Sequence, residues 1–363
     1  MSIADTPEIL TWTTPWEAIR GIHARFSRSV EEALAQKLAA LDPPTARLLG
    51  EGLGSLAAAA RERLLLAPET TYRLLWAGEG DFVDFMQRSI IAEQALCGGG
   101  VALQSEVWTA LGDAVIRPPG RVVPGAAVAG LAAIDYDSPY ATTIDISGVR
   151  QRVDKPRPPL QGADRKVSLQ RLEAALHGIS QSGETVARFV RLFTKVLILQ
   201  RDDSEGFSSG SNGEFVGRSL IGNPQLQGKD EVDVAEAVVH EAIHSLLYMQ
   251  ELEEPWVASA EPHLPAASIS SPWTGRSLAL RPFLQASFVW YGLLHFWSGS
   301  LLGLAFDPVR IHRRMAHATV GFLGAPLLDG LAEDQRTQVV PQVRLALEKM
   351  QADVQRAFQG IAG

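Results

Sequence analysis

Apolar positions recur at helical spacing through most of the chain. Trp16, Ile19, Ile22 and Phe26 stand three or four residues apart, and Val30, Leu34, Leu38 and Leu41 continue the row until Pro43 and Pro44 break it. Further helical runs are expected over 46–66, 70–76 and 82–96. Gly98, Gly99 and Gly100 interrupt, and short β-leaning pieces follow at 101–111, 114–116, 122–123 and 143–146 between Pro- and Gly-bearing turns. The Pro-rich stretch 155–159 reads as an exposed extended segment. Helical spacing returns over 167–201 with a turn near Gly183, and 196–199 either finishes that helix or starts a strand. A polar Gly/Ser stretch at 208–213 runs into 215–221, which reads as a strand closed by Asn223 and Pro224. No Pro or Gly interrupts 232–249, an expected helix. Prolines make 255–277 a loop, and helices are expected over 282–304, 307–323 and 334–358, the last kinked or started by Pro341.

This order of elements predicts a mostly α protein with a small β part, an α+β chain. Three segments suggest themselves: a helical region at 1–98, a β-rich and loop segment at 99–165, and a core at 166–363.

Composition adds exclusions. Of 363 residues 46% are apolar and 20% charged, which is ordinary for a globular protein with ample core. A net charge of −8 argues against nucleic-acid binding by bulk electrostatics. The single cysteine, Cys97, rules out an intrachain disulfide and is expected to be a small buried apolar residue. The N-terminus shows no basic region followed by an apolar core, and no apolar stretch is long enough to span a bilayer, so a cytoplasmic protein off the membrane is expected.

The chemistry gathers at Val239-His240-Glu241-Ala242-Ile243-His244-Ser245, an H-E-x-x-H pattern inside the 232–249 helix. Histidines four apart on a helix lie about 40° apart around its axis, so both rings can reach one metal ion. The apolar frame around them predicts that both are largely buried, where unpaired imidazoles and a carboxylate cost several kcal/mol. Asp230, Glu231 and Asp233 open the helix at the positive end of its dipole. Two histidines hold an ion poorly, so a third protein ligand is expected. Leu247 and Gln250 stand where a metzincin needs Gly and His, which excludes that class. On the 282–304 helix, Gln285, Phe288, Gly292 and His295 fall on one stripe; His295 is the first candidate and Gln285 the second. His263, Glu251, Glu253, Glu254 and Glu261 trail as loop and surface groups.

Residues 207–297, with the H-E-x-x-H motif and the run from Ser271 through Arg276 into Phe283-Leu284-Gln285, resemble the H-E-x-x-H peptide-modification family found beside ribosomally made peptide precursors. The resemblance implies a zincin-like metal-site core following an N-terminal helical region, and 2-oxoglutarate-dependent β-hydroxylation of a precursor peptide. It implies Fe(II) on His240, His244 and a third group, with open positions for the keto acid and O2. It also implies a cationic partner for the distal carboxylate of 2-oxoglutarate, with Arg276 first and Arg281 and Arg218 as alternatives. Glu241 would then orient a ligand or hold a water beside the ion. In that family a histidine often stands in the place of Gln285. The strand at 215–221 would pair with the substrate backbone, as exposed strand edges do in zincin folds.

Two other readings stay open. In a zinc metallopeptidase Glu241 is the general base acting on a zinc-bound water. In a non-catalytic peptide-binding module the helical N-terminal part docks a leader peptide.

Overall fold

The computed structural model describes residues 2–100, 103–128, 133–135, 138–140, 160–202, 206–258, 268–299 and 302–362. The expected strand at 143–146 and the Pro-rich stretch 155–159 lie outside them. The described residues form a mostly helical α+β protein. In chain order the helices α1 (Thr6–Leu10), α2 (Trp16–Ala40), α3 (Pro43–Gly54), α4 (Ala58–Leu65), α5 (Pro68–Leu75) and α6 (Glu79–Leu96) come first. Strands β1 (Val107–Trp108), β2 (Ala114–Arg117), β3 (Arg121–Pro124) and β4 (Ile134–Asp135) precede helices α7 (Gly162–Ser182) and α8 (Glu184–Phe193). Strands β5 (Val196–Gln200), β6 (Ser208–Ser211) and β7 (Arg218–Gly222) lead into helix α9 (Glu231–Glu253). A hairpin of β8 (Ile269–Ser270) and β9 (Ser277–Leu278) is followed by α10 (Leu280–Trp297), α11 (Pro308–Leu323), α12 (Glu333–Gln338) and α13 (Pro341–Ala362).

The chain divides into two compact units that interleave along the sequence and do not follow the segments 1–98, 99–165 and 166–363. One unit comprises 1–23, 177–189 and 246–363. It is helical: α10 packs on α1 and α11, and α11 on α13. Its core is aromatic, with Tyr291, Phe296, Trp297 and Phe322 at 2% exposure or less. Pro341 is the start of α13 rather than a kink, because its missing N–H costs nothing at a helix's first turn. Asp307 caps α11 by accepting the Val309 N–H.

The other unit, 24–176 and 190–245, holds the three- and four-stranded sheets. Helices α3, α4 and α5 pack on α6, and α6 covers the antiparallel sheet β1-β2-β3. The second sheet has the order β4-β5-β7-β6, with β4, β5 and β7 parallel and β6 antiparallel on the edge. Strands β5 and β7 are buried at every position, as interior strands covered on both faces are.

One open expectation is settled here and three change. Residues 196–199 start a strand, since their β-branched and aliphatic side chains are buried on both sides. The polar 208–213 stretch contains edge strand β6, whose poor strand propensity is overridden by its backbone ladder to β7 and by its side-chain partners. The strand at 215–221 is β7, beginning at Arg218, and it lies between β5 and β6. Its edges are both taken, so β7 cannot pair with a substrate. Cys97, just after α6, is exposed rather than buried.

Candidate metal centre

Helix α9 is almost wholly buried up to Ser245, with Val238, Val239, Ala242 and Ile243 at 0% exposure. One stripe breaks that pattern. Glu236, His240 and His244, spaced by four, are half-buried while their neighbours are closed off. The sequence-based expectation of two buried rings is therefore corrected: the His240 side chain is 28% exposed. The stripe left partly open is the one that carries the imidazoles. Their ring centroids are 5.0 Å apart and their planes cross at 52°. The two partly buried imidazoles stand one helical turn apart.

Glu241, next to His240 on the helix, is 1% exposed. Its carboxylate accepts the Ser209 hydroxyl at 2.7 Å on one oxygen and the Ser211 hydroxyl at 2.6 Å on the other. These serines are alternate residues of β6, so they stand on the same face of the edge strand. The nearer oxygen is 3.9 Å from His240 Nε2. Burying a carboxylate is costly unless its lone pairs are met, and two hydroxyls meet them here. The sequence reading missed Ser209 and Ser211; the period-2 Ser-x-Ser spacing is the signal that could have found them.

The opposite face of the same sheet carries a second buried charge cluster. Arg218, in register with Val196, donates to Glu69 of α5 at 2.7 Å and to the Tyr140 carbonyl at 2.7 Å. Glu69 also pairs with Arg73 at 2.5 Å, and all three side chains are about 4–5% exposed. Arg218 is thus a structural ion-pair residue, which corrects its candidacy as a keto-acid anchor. Asp135, at the end of β4, accepts the backbone N–H and hydroxyl of Ser138, and burial pushes its carboxyl up to about 6.

The remaining candidates lie in the first-described unit. Gln285 is buried and donates to Glu251 at 3.0 Å, and Arg281 pairs with Glu251 at 2.5 Å. Burial pushes the Glu251 carboxyl up, and Arg281 and Gln285 pull it back in part. His295 packs its ring edge-on against Tyr291, 4.5 Å between centroids, and its buried Nε2 has no hydrogen-bond partner among the described residues. Burial lowers its pKa and the Asp353 carboxylate offsets this in part. Arg276 is exposed in the turn of the β8–β9 hairpin.

Among the described residues, no group of three or more His, Cys, Asp or Glu side chains is gathered that could hold an ion. His240 and His244 by themselves supply two imidazoles one turn apart. His295 and Gln285 belong to the other unit, and Gln285 donates to Glu251. His263 and Glu261 lie outside the described residues. Also among these residues, no helix is long and apolar enough to cross a membrane.

A scan of protein-family models finds no match to this chain. A search of curated proteins finds none either.

Proposed function

We propose that the chain is a metal-dependent peptide-modifying enzyme, an Fe(II)- and 2-oxoglutarate-dependent hydroxylase of side-chain β-carbons in a ribosomally made precursor peptide. The observation that carries this reading is the outward pair His240 and His244 beside a Glu241 whose two oxygens are both held by serine hydroxyls. His240 and His244 would hold the ion. Ferrous iron with 2-oxoglutarate and O2 supplies, when bound, the oxidising power to replace a C–H bond by C–OH. Glu241 is held at both oxygens, which suits a carboxylate that orients its surroundings better than one that must take up and release a proton. With Arg218 and Arg281 committed to carboxylates, Arg276 is the arginine this reading assigns to the distal carboxylate of the keto acid.

The arrangement suits a zincin-like core with one change from the sequence reading. The substrate-pairing role passes from β7 to β6, which ends the strand order and carries the serines that hold Glu241. A peptide extended along β6 would lie one strand's width from the residues that fix the motif.

A zinc peptidase is the second reading, favoured by the 3.9 Å approach of Glu241 to His240 Nε2. The two part on oxygen. The protein is incubated with a candidate precursor peptide, Fe(II) and 2-oxoglutarate, in air and anaerobically, and the peptide is weighed. A mass gain of one oxygen atom that requires both air and the keto acid supports hydroxylation. Cleavage that persists without O2 overturns it in favour of the peptidase.

A further inference from the structure

We propose that Gln200, Gly222 and Ser208, a row at the carboxyl end of the parallel strands, bind a small neutral molecule with an amide-like edge. That edge carries an N–H donor and an acceptor side by side, as a primary amide, a lactam or a nucleobase does. The row lies on the sheet face away from Glu241, and the inference is independent of the metal centre.

Strand register brings the three residues together. Gln200 of β5 pairs with Gly222 of β7, and Gly222 with Ser208 of β6, so their side-chain positions share one face. Ser209 and Ser211, which hold Glu241, stand on the other. Gln200 is 4% exposed, and neither its amide nitrogen nor its amide oxygen has a hydrogen-bond partner among the described residues. A primary amide offers two donor hydrogens and two acceptor lone pairs. Burying all of them unmet is costly, and native proteins do so rarely.

Gly222 leaves the middle of the row without a side chain. A Cβ there would meet Ser208 Oγ at 2.5 Å, so the hydroxyl leans across β7 toward β5. The rim of the row is tied down. Asn223, just past β7, is held at a φ of 56°. Its amide donates to the carbonyls of Asp202 after β5 at 2.6 Å and Gly206 before β6 at 3.0 Å, and its oxygen accepts the Asp202 N–H at 2.8 Å. One side chain thus joins the ends of three strands. Non-glycine residues kept in the left-handed region gather at ligand clamps. The carboxyl ends of parallel strands are also where α/β sheets take their ligands. Gly206 is exposed and Ser208 half-buried, so the row opens beside β6.

The side chains select the ligand. No residue of the row is charged, and Asp135, which shares the face on β4, accepts the N–H and hydroxyl of Ser138. A glutamine amide open at both atoms matches a donor and an acceptor set side by side, as in the bidentate glutamine–adenine pair.

The test uses the full chain and three probes, uracil, adenine and nicotinamide. Each is paired with a methylated counterpart that lacks the N–H donors: 1,3-dimethyluracil, N6,N6-dimethyladenine and N,N-dimethylnicotinamide. Saturation-transfer NMR and calorimetry are expected to show binding of at least one parent probe and not of its counterpart. Gln200→Leu should weaken that binding at least about tenfold and raise the melting temperature of the free protein, since it removes an unmet amide at similar volume. A merely structural glutamine would give the opposite thermal shift. Ser208→Ala, at the half-buried rim, should weaken binding about fivefold, and it keeps the test open if the leucine variant does not fold. Circular dichroism checks that each variant is folded. Failure of all three parent probes to bind overturns the inference. So does equal binding of the methylated counterparts, or parent-like binding in both variants. A folded Gln200→Leu protein with a lowered melting temperature also overturns it, because the amide would then be serving the fold through ordered water.

Discussion

The Ser211 hydroxyl donates to Glu241 at 2.6 Å, joining the edge strand β6 to the helix that carries the histidine pair. Ser209 makes the matching bond at 2.7 Å to the other oxygen. Removing either hydroxyl leaves one oxygen of a buried carboxylate short of a partner. Ser209→Ala and Ser211→Ala should therefore each cost about 1–3 kcal/mol in urea unfolding. In the double serine variant Glu241→Gln should cost less than it does alone, because the neutral amide no longer competes with a satisfied carboxylate. Strict additivity of the three changes would count against the clamp. In activity, Glu241→Gln is expected to slow turnover while leaving metal affinity within about tenfold.

Metal content separates the candidates for the coordination sphere. His240→Ala and His244→Ala each remove one of two adjacent donors, so binding of Mn(II) or Zn(II) by calorimetry should fall by well over the ~10–100-fold typical of outer-sphere changes. Gln285→Ala breaks a bond to Glu251 and nothing in the histidine pair, so its metal affinity should stay that of the parent. Full occupancy in both histidine variants would remove the metal centre from the protein.

Arg218 separates a fold role from a substrate role. It is buried against Glu69 on the sheet face away from α9. Arg218→Met strands part of a buried carboxylate, and Arg73 still pairs with Glu69, so the loss should sit near the lower end of the ~3–5 kcal/mol usual for a broken buried pair. The variant should unfold at lower denaturant yet keep its affinity for 2-oxoglutarate once folded. Normal stability with a lost keto-acid response would restore Arg218 as the anchor.

What the sequence disclosed depended on the range of each interaction. The helix carrying His240 and His244 is announced by its own apolar run and its acidic first turn. Pro341 at the start of α13 and Asp307 capping α11 are likewise local signals. Strand β6 was opaque, because Ser208-Ser209-Gly210-Ser211 has the composition of a loop and becomes a strand through β7 and Glu241. The pair Arg218–Glu69 joins residues 149 apart in sequence, and no local pattern marks it. Exposure misled in the same way. The apolar neighbours of His240 implied burial, but a helix can bury most of its circumference and still turn one stripe outward.

Asp135 makes stability pH-dependent in the direction opposite to a salt-bridged carboxylate. Its folded pKa of about 6 exceeds the ordinary carboxyl value of 3.8, because burial outweighs the Ser138 bonds and Arg218. Between those values the folded state keeps a proton that the unfolded state has released, so stability falls as pH rises through that window and is level above it. A gap of about two units corresponds to roughly 3 kcal/mol. Asp135→Asn keeps an acceptor for the Ser138 N–H and removes the charge. It should flatten the profile between pH 4 and 6 and raise the unfolding free energy measured in urea at pH 7, by up to roughly 3 kcal/mol. An unchanged slope would mean that Asp135 is ionised at no cost.

Two helical glycines should respond to alanine with opposite sign. Alanine normally stabilises a helix over glycine by about 0.4–1 kcal/mol through the unfolded chain. Gly21 in α2 has open space where a Cβ would go, so Gly21→Ala should show that gain. At Gly321 in α11 a Cβ would come within 2.2 Å of the Trp273 ring. Trp273 is 5% exposed, donates its indole N–H to the Ala318 carbonyl at 2.9 Å, and meets Phe322 at 5.1 Å, so it has little room to retreat. Overpacking of this kind costs typically ~1–3 kcal/mol, which exceeds the propensity gain. Gly321→Ala should therefore lower the melting temperature and, by displacing Trp273, change its fluorescence. A stabilised Gly321→Ala protein would show that the indole is free to move and that its packing on α11 is loose.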